Sequence, residues 1–214
     1  MIVKEFCAEN FTFIPAAIKA GANRIELCDN LAVGGTTVSI KVMKETIEYC
    51  KPQSIPIMAM IRPRGGNFCY NKIEISIMLN DIIKSKNAGI DGVVFGALTD
   101  NNEWLDESAL KELIKASKGL QITFHMAFDS LSKEAQFNAI DWLAENGVHR
   151  ILTHGGPSAN VPIEENFGHL KDLIKYSKNK ICILPGGKIS FENCKTVIDA
   201  LGVAEVHGTK IVKL

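Results

Sequence analysis

The sequence predicts an α/β fold, a single-domain TIM (β/α)8 barrel, and three observations favour it. Eight short β-like runs alternate with amphipathic helical stretches along the chain, which predicts a parallel sheet, either closed or doubly wound. No Gly-x-Gly-x-x-Gly motif follows the first strand, so neither an open dinucleotide-binding sheet nor a nucleotide cofactor is indicated. Polar residues gather where strands end, as they do in TIM barrels.

The predicted elements follow in order over one domain, residues 1–214. The strands are predicted at 2–7, 24–28, 56–62, 92–95, 121–125, 150–153, 180–185 and 204–207. The helices are predicted at 12–21, 39–51, 73–88, 106–117, 133–146, 166–178 and 190–201. Asp106, Ser132 and Ser190 supply N-terminal start signals, and glycines follow several helices. Because 214 residues is short for this fold, we expect one helix to be abbreviated.

Composition limits the functional classes. The formal net charge is +0, so no broad electrostatic case exists for binding nucleic acid or an anionic membrane. No apolar run approaches the roughly 20 residues that span a bilayer, and the N-terminus lacks a signal-peptide layout. The 6 cysteines form no Cys-x-x-Cys pair. We therefore expect a cytoplasmic protein with free thiols.

The segment after the third strand carries the strongest functional signal. Arg62 and Arg64 follow an apolar run, and side-chain alternation along a strand would place both on one face. A proline and two glycines stop the strand there. Because the guanidinium fork binds carboxylate or phosphate bidentately, the pair predicts an anion-binding site.

Charged residues on the other strands are expected to face the barrel lumen. An unpaired buried charge costs several kcal/mol, against about 5–15 kcal/mol of stability for a whole domain. These residues must therefore pair with one another or with a ligand. The set is Glu5, Glu26, Arg62, Arg64, His125 and His207. A site is favoured because active sites lie at this mouth of the barrel, and the alternative is a structural ion-pair network.

Two further features fit chemistry at the mouth, each with a plain alternative. Gly186, Gly187 and Gly208 follow the last two strands, where phosphate-binding barrels hold an anion on exposed N–H groups, although ordinary tight turns would look the same. His125 with Asp129 nearby suits general acid–base catalysis with Glu26, although a histidine that merely holds a loop fits equally.

A metal site is a separate hypothesis. Cys7 and Cys28 end adjacent strands on comparable faces, and soft thiolates select Cu(I) over harder ions. Two buried thiols in apolar packing are the alternative. No zinc-binding spacing occurs in the sequence.

Six segments together resemble the CutC copper homeostasis family. They are RIELC at 24–28, IRPRGGNF at 61–68, DGVVFG at 91–96, TFHMAFD at 123–129, RILT at 150–153 and LPGG at 184–187. The resemblance implies a TIM barrel, a cytoplasmic and often oligomeric protein, and copper binding with Cys7 and Cys28 as ligands. The chain departs from the family pattern at Met126, where Arg is usual, at His154, where Ser is usual, and at Lys188, where Gly is usual.

Two functions follow as expectations. The first is copper homeostasis through binding of copper as Cu(I), with a homo-oligomer, by default a dimer, as the expected assembly. The alternative is a TIM-barrel enzyme acting on a small phosphorylated or carboxylated anion held by Arg62 and Arg64. Glu26 or His125 would then move the proton, and Asp129 would orient His125 or a loop. Whether the protein is an enzyme stays open at this point.

Overall fold

A computed structural model describes residues 2–157 and 160–214 and shows one sheet of eight parallel strands. The strands are β1 (Val3–Glu9), β2 (Arg24–Cys28), β3 (Ile57–Met60), β4 (Gly92–Phe95), β5 (Gln121–Phe124), β6 (Arg150–Thr153), β7 (Cys182–Pro185) and β8 (Glu205–Gly208). The hydrogen-bonded order runs from β7 down to β1 and then to β8. Since β7 also contacts β8, the sheet curls into a nearly closed TIM barrel, as the sequence predicted.

Seven α-helices cover the outside of this barrel in the described part of the chain. They are α1 (Ile14–Lys19), α2 (Ile40–Cys50), α3 (Lys72–Ala88), α4 (Glu107–Ala116), α5 (Lys133–Glu145), α6 (Phe167–Ser177) and α7 (Cys194–Leu201). The side chains of Asp106 and Ser132 accept N-terminal hydrogen bonds in α4 and α5, which confirms both start signals. The expected shortening falls on α1, which has 6 residues, and the described residues after β8 form no helix.

The strands separate two environments by side-chain alternation. In β2, Ile25 and Leu27 point outward and pack with the helices, and both are fully buried. The alternate residues Arg24, Glu26 and Cys28 are also buried, but on the lumen side. The helix-facing layer therefore supplies most of the apolar core, whereas the lumen holds charged and sulfur-bearing groups together with Val94 and Leu152.

Several boundary predictions were wrong. Strand β1 continues to Glu9, so Cys7 lies within the strand rather than at its end. Ser190 does not start α7; the helix begins at Cys194, and the Ser190 hydroxyl instead accepts a hydrogen bond from the Glu192 N–H in a turn. Strand β3 ends at Met60, so Arg62 lies in the loop that follows it. Strand β5 likewise ends at Phe124, and His125 caps a short 3-10 turn. Within the described residues, no helix is both long and apolar enough to cross a bilayer.

Candidate functional site

A pocket of about 790 Å³ opens at the carboxyl ends of the strands. Its volume lies in the range of small-molecule sites in proteins. The predicted site residues that line it are Cys7, Glu26, Cys28, Arg62, His125, Gly187 and Gly208. Chain segments far apart in sequence meet here because parallel strands bring their carboxyl ends to one face of the barrel.

One side of the pocket is built by three neighbouring strands, β8, β1 and β2. The register pairs Glu5 with His207 across β1 and β8, and Cys7 with Glu26 across β1 and β2. Cys28 lies two residues beyond Glu26 on the same lumen face of β2. We call these residues, namely Cys7, Glu26, Cys28 and His207, the thiol cluster.

The thiol cluster converges on a single carboxylate oxygen. Glu26 Oε2 lies 3.2 Å from Cys7 Sγ, 3.4 Å from Cys28 Sγ and 3.7 Å from His207 Nε2. The candidate ligand atoms of Cys7, Glu26 and His207 all fall within 4.8 Å of one another. All four side chains are buried, so a single ion could contact several of these donors at once.

An ion-pair network lies beneath the thiol cluster. Glu5 accepts a hydrogen bond from His207 Nδ1 at 2.8 Å and another from Arg24 Nε. Glu205 pairs with Arg24 at 2.7 Å and with Arg150 at 2.9 Å. A structural ion-pair network was the alternative considered from the sequence, and Glu5 and His207 of that set join this one. The network orients His207 so that Nε2 faces the cluster.

The electrostatics of the cluster differ from residue to residue. Burial raises the pKa of Glu26 well above its ordinary range, although the His207 charge opposes this. Burial also tends to raise the pKa of Glu5, but hydrogen bonds and charges from His207 and Arg24 lower it to about 2. Hydrogen bonding with Cys28 lowers the pKa of Cys7 well below its usual range. A readily ionised thiol beside a second thiol is suited to binding a soft cation.

Arg62 and Arg64 separate, contrary to the expectation of a shared lumen face. Arg62 lines the pocket and is 4% exposed. Arg64 is absent from the pocket lining, and its Nε donates to Glu74 at 2.5 Å at the start of α3. The reason is that β3 has already ended at Met60, so strand alternation no longer governs either arginine.

The Arg62 guanidinium is held by backbone carbonyls. Its NH1 donates to Val33 O at 3.0 Å and to Gly35 O at 3.1 Å, and its NH2 donates to Gly66 O at 2.8 Å. Its Nε is buried and has no hydrogen-bond partner among the described residues. The Phe68 ring lies over the guanidinium, with 4.9 Å from Cζ to the ring centroid.

His125 and Asp129 do not form the pair considered from the sequence. Asp129 accepts hydrogen bonds from the Thr153 hydroxyl and from the backbone N–H groups of His154 and Gly155. It therefore orients the loop after β6, which was one of its two predicted roles. Burial raises the pKa of Asp129 to about 6 against those hydrogen bonds. His125 instead accepts from the Ala127 N–H at 3.2 Å through Nδ1.

The glycines after β7 and β8 serve different purposes. The Gly186 N–H already donates to Thr153 O at 2.9 Å, so it is not free to bind an anion. A Cβ on Gly208 would clash with the Ile189 carbonyl oxygen, so the close approach of the two backbones requires glycine there. Gly187 has a φ of 83° and lines the pocket.

Of the departures from the family pattern, two reach the pocket. Met126 and Lys188 line it, and Lys188 adopts the left-handed φ of 57° that glycine would accept without strain. His154 is not in the lining; its ring nitrogens contact Val161 O at 3.2 Å and Asn166 Nδ2 at 3.1 Å. Lys188 therefore adds a cationic side chain to the lining, whereas His154 does not reach it.

Sequence reasoning missed the place of His207 in the thiol cluster. The sequence predicts His207 only as a lumen charge in need of a partner, and it predicts Glu26 both as such a charge and as a proton carrier. Strand closure puts β8 beside β1, which the barrel prediction already contained. Aligning the polar ends of these two strands would have placed His207 beside Glu5 and Cys7.

Known proteins of one family match this chain over nearly its whole length. The family model described as CutC family matches residues 2–212. A family protein CutC of Enterococcus faecalis is 65% identical over 211 residues, which cover 99% of this chain and 100% of that protein. A Homo sapiens protein named copper homeostasis protein cutC homolog is 36% identical over 206 residues, 95% of this chain and 71% of that protein.

A solved structure shows the same architecture. The crystal structure of CutC from Streptococcus agalactiae matches with a TM-score of 0.95 and 46% sequence identity. The match covers 99% of this chain and 100% of that chain.

Proposed function

Because this chain belongs to the CutC family, we propose that it serves copper homeostasis by binding Cu(I) at Cys7 and Cys28. The name of the human relative supports the copper role. The residues of the pocket support the binding step. The cytoplasmic location and the homodimer stay predictions from the sequence.

The observation that carries this proposal is the convergence of two buried thiols on one point of the lumen. Cys7 Sγ and Cys28 Sγ lie 3.2 and 3.4 Å from the same oxygen of Glu26. Thiolates and thioethers are the ligands that select Cu(I) among biological metal ions. Met60 belongs to the same small buried cluster as both cysteines and lines the pocket, so a thioether lies near the thiols.

The other members of the cluster would support the metal. His207 Nε2 faces the thiols because Glu5 holds its Nδ1, so the imidazole can serve as a third ligand once it has lost its proton. Glu26 contacts both sulfur atoms and can accept protons that leave as thiolates form. Metal affinity should therefore rise with pH, because protons compete for the same atoms.

The test is an anaerobic Cu(I) competition titration of the wild type and of the Cys7→Ser/Cys28→Ser double variant. We expect one tightly bound Cu(I) per wild-type chain and an affinity loss of more than about 100-fold in the double variant, since removing ligands should exceed the usual effect of removing their supports. The titration is read with a chromogenic Cu(I) chelator as competitor.

The matched control is Cys50→Ser. Cys50 is as fully buried as Cys28 but lies at the end of α2, away from the pocket. The Cys50→Ser variant should bind Cu(I) as the wild type does. Like the double variant, it places a serine hydroxyl in a buried position, so it controls for that effect on stability. Equal binding by the wild type and the double variant would show that the thiols are incidental.

A second function is favoured by the size of the pocket. A volume of about 790 Å³ suits a small organic molecule, whereas a metal ion fills only a small part of it. The lining adds Arg62, Lys188 and Lys210 to the thiol cluster. A TIM-barrel enzyme acting on a small anionic metabolite would use this space, with the thiol cluster as its reactive group.

A further inference from the structure

We propose that the pocket binds a small organic carboxylate whose oxygens accept hydrogen bonds from Arg62 Nε and His125 Nε2. This assignment rests on the second function above, to which it adds an anchor and a ligand class, and it is independent of copper binding. Arg62 follows β3 and His125 follows β5, so the anchor lies on other strands than the thiol cluster.

The buried charge of Arg62 has no counter-ion among the described residues. The side chain is 4% exposed, and no carboxylate of the described residues lies within ion-pair distance of it. Backbone carbonyls take three of its hydrogen bonds and fix the fork in place. Burying a cation without a counter-ion is costly, so an anionic ligand would stabilise this arrangement.

Arg62 and His125 each have a buried N–H group that donates no hydrogen bond within the described residues. Nδ1 of His125 accepts a hydrogen bond from the Ala127 N–H, which leaves the ring proton on Nε2. Nε2 of His125 and Nε of Arg62 are both buried without a hydrogen-bond partner among the described residues. Burial of a polar group is normally compensated by such a partner, and a ligand oxygen would supply it.

Arg62 and His125 both lie beside the same aromatic ring. The Phe68 ring lies 4.9 Å from Arg62 Cζ and 4.9 Å, centroid to centroid, from the His125 ring. Arg62 also lowers the pKa of His125, after the larger effect of burial. All three side chains line the same pocket. Phe68 therefore covers the anchor, and its ring would have to move aside when a ligand enters.

The ligand class follows from the donors. Two N–H groups on separate planar side chains match the two oxygens of a carboxylate. A phosphate site in a barrel would use free N–H groups of the glycine loop, but the Gly186 N–H is already bonded to Thr153 O. The carbon chain of the ligand would extend toward the thiol cluster, across the rest of the pocket.

The test is isothermal titration of the metal-free protein with pyruvate, lactate, malonate and inorganic phosphate as probes. The variants are Arg62→Met, which keeps the stem and removes the fork, and His125→Phe, which keeps a ring and removes the donor. The matched control is Arg64→Met, because Arg64 lies two residues away, pairs with Glu74 and does not line the pocket. His125→Phe keeps the test decisive if Arg62→Met does not fold.

We expect at least one carboxylate to bind the wild type, and we expect its Kd to rise tenfold or more in Arg62→Met and in His125→Phe. Arg64→Met should retain the wild-type Kd. Absence of saturable carboxylate binding up to about 10 mM would overturn the proposal. The proposal would also be overturned if Arg62→Met bound the carboxylate with the wild-type Kd, or if the wild type bound phosphate more tightly than every carboxylate. Because these titrations use the metal-free protein, failure of the copper function and failure of this anchor give different results.

Discussion

Glu5→Gln is expected to lower the free energy of unfolding by about 3–5 kcal/mol, the usual cost of breaking a buried ion pair by removing one partner. Glu5 is 1% exposed and accepts from both His207 and Arg24. A neutral amide would leave these two buried cationic groups poorly compensated. Urea unfolding near pH 7 measures the loss as a change in midpoint at constant slope.

Glu9→Gln is the control for this prediction. Glu9 lies on the same strand and the same side as Glu5, but at its exposed end. Its replacement should change the stability by no more than about 0.5 kcal/mol, as is usual at exposed positions. A loss below about 1 kcal/mol in Glu5→Gln would mean that the network beneath the thiol cluster does not hold the barrel together.

The second large effect is a pH dependence that comes from His125. Burial, and then the charge of Arg62, lower its pKa in the folded protein from 6.5 to about 3. Below pH 6.5 the unfolded chain binds a proton here while the folded chain does not, so His125 makes stability fall as the pH falls. Between pH 6.5 and 4 this amounts to about 3 kcal/mol, at 1.36 kcal/mol for each unit.

Other groups titrate in the same window, so a difference must be measured. The pKa of Asp129 is raised by burial to about 6, which makes the folded state gain stability as the pH falls from 6 to 3.8. Glu5 contributes in the same sense as His125, but only below about pH 4.5. We expect the stability of His125→Phe relative to the wild type to rise by about 3 kcal/mol from pH 6.5 to 4.

Above pH 7.5 the same difference should be flat, because the imidazole is neutral in both states there. Unfolding by urea at half-unit pH steps gives both regions in one series. A difference that stays constant down to pH 4 would show that His125 is not held neutral in the folded protein.

The fold was predictable because its signals are repeated along the chain. Eight strand patterns alternate with seven helix patterns, so an error of a few residues at Ser190 or at the end of β3 leaves the barrel intact. Helix caps such as Asp106 and Ser132 could be predicted because a cap depends on neighbours within three residues.

The site was predictable only in part, since it depends on contacts between distant segments. Cys7, Glu26 and Cys28 share a pocket because they lie within regular strands, where alternation fixes the direction of each side chain. Arg64 lies beyond a strand end, where its direction is decided by Glu74 on α3. His207 is 202 residues from Glu5, and only barrel closure joins them.

The central claim is that Cys7 and Cys28 together bind Cu(I), and X-ray absorption at the copper edge tests it most directly. The Cu(I) complex of the wild type should show two sulfur ligands, with a third, lighter ligand that disappears in His207→Ala. The Cys50→Ser complex should give the same spectrum as the wild type. A copper environment without sulfur, or an identical spectrum from Cys7→Ser/Cys28→Ser, would contradict the account.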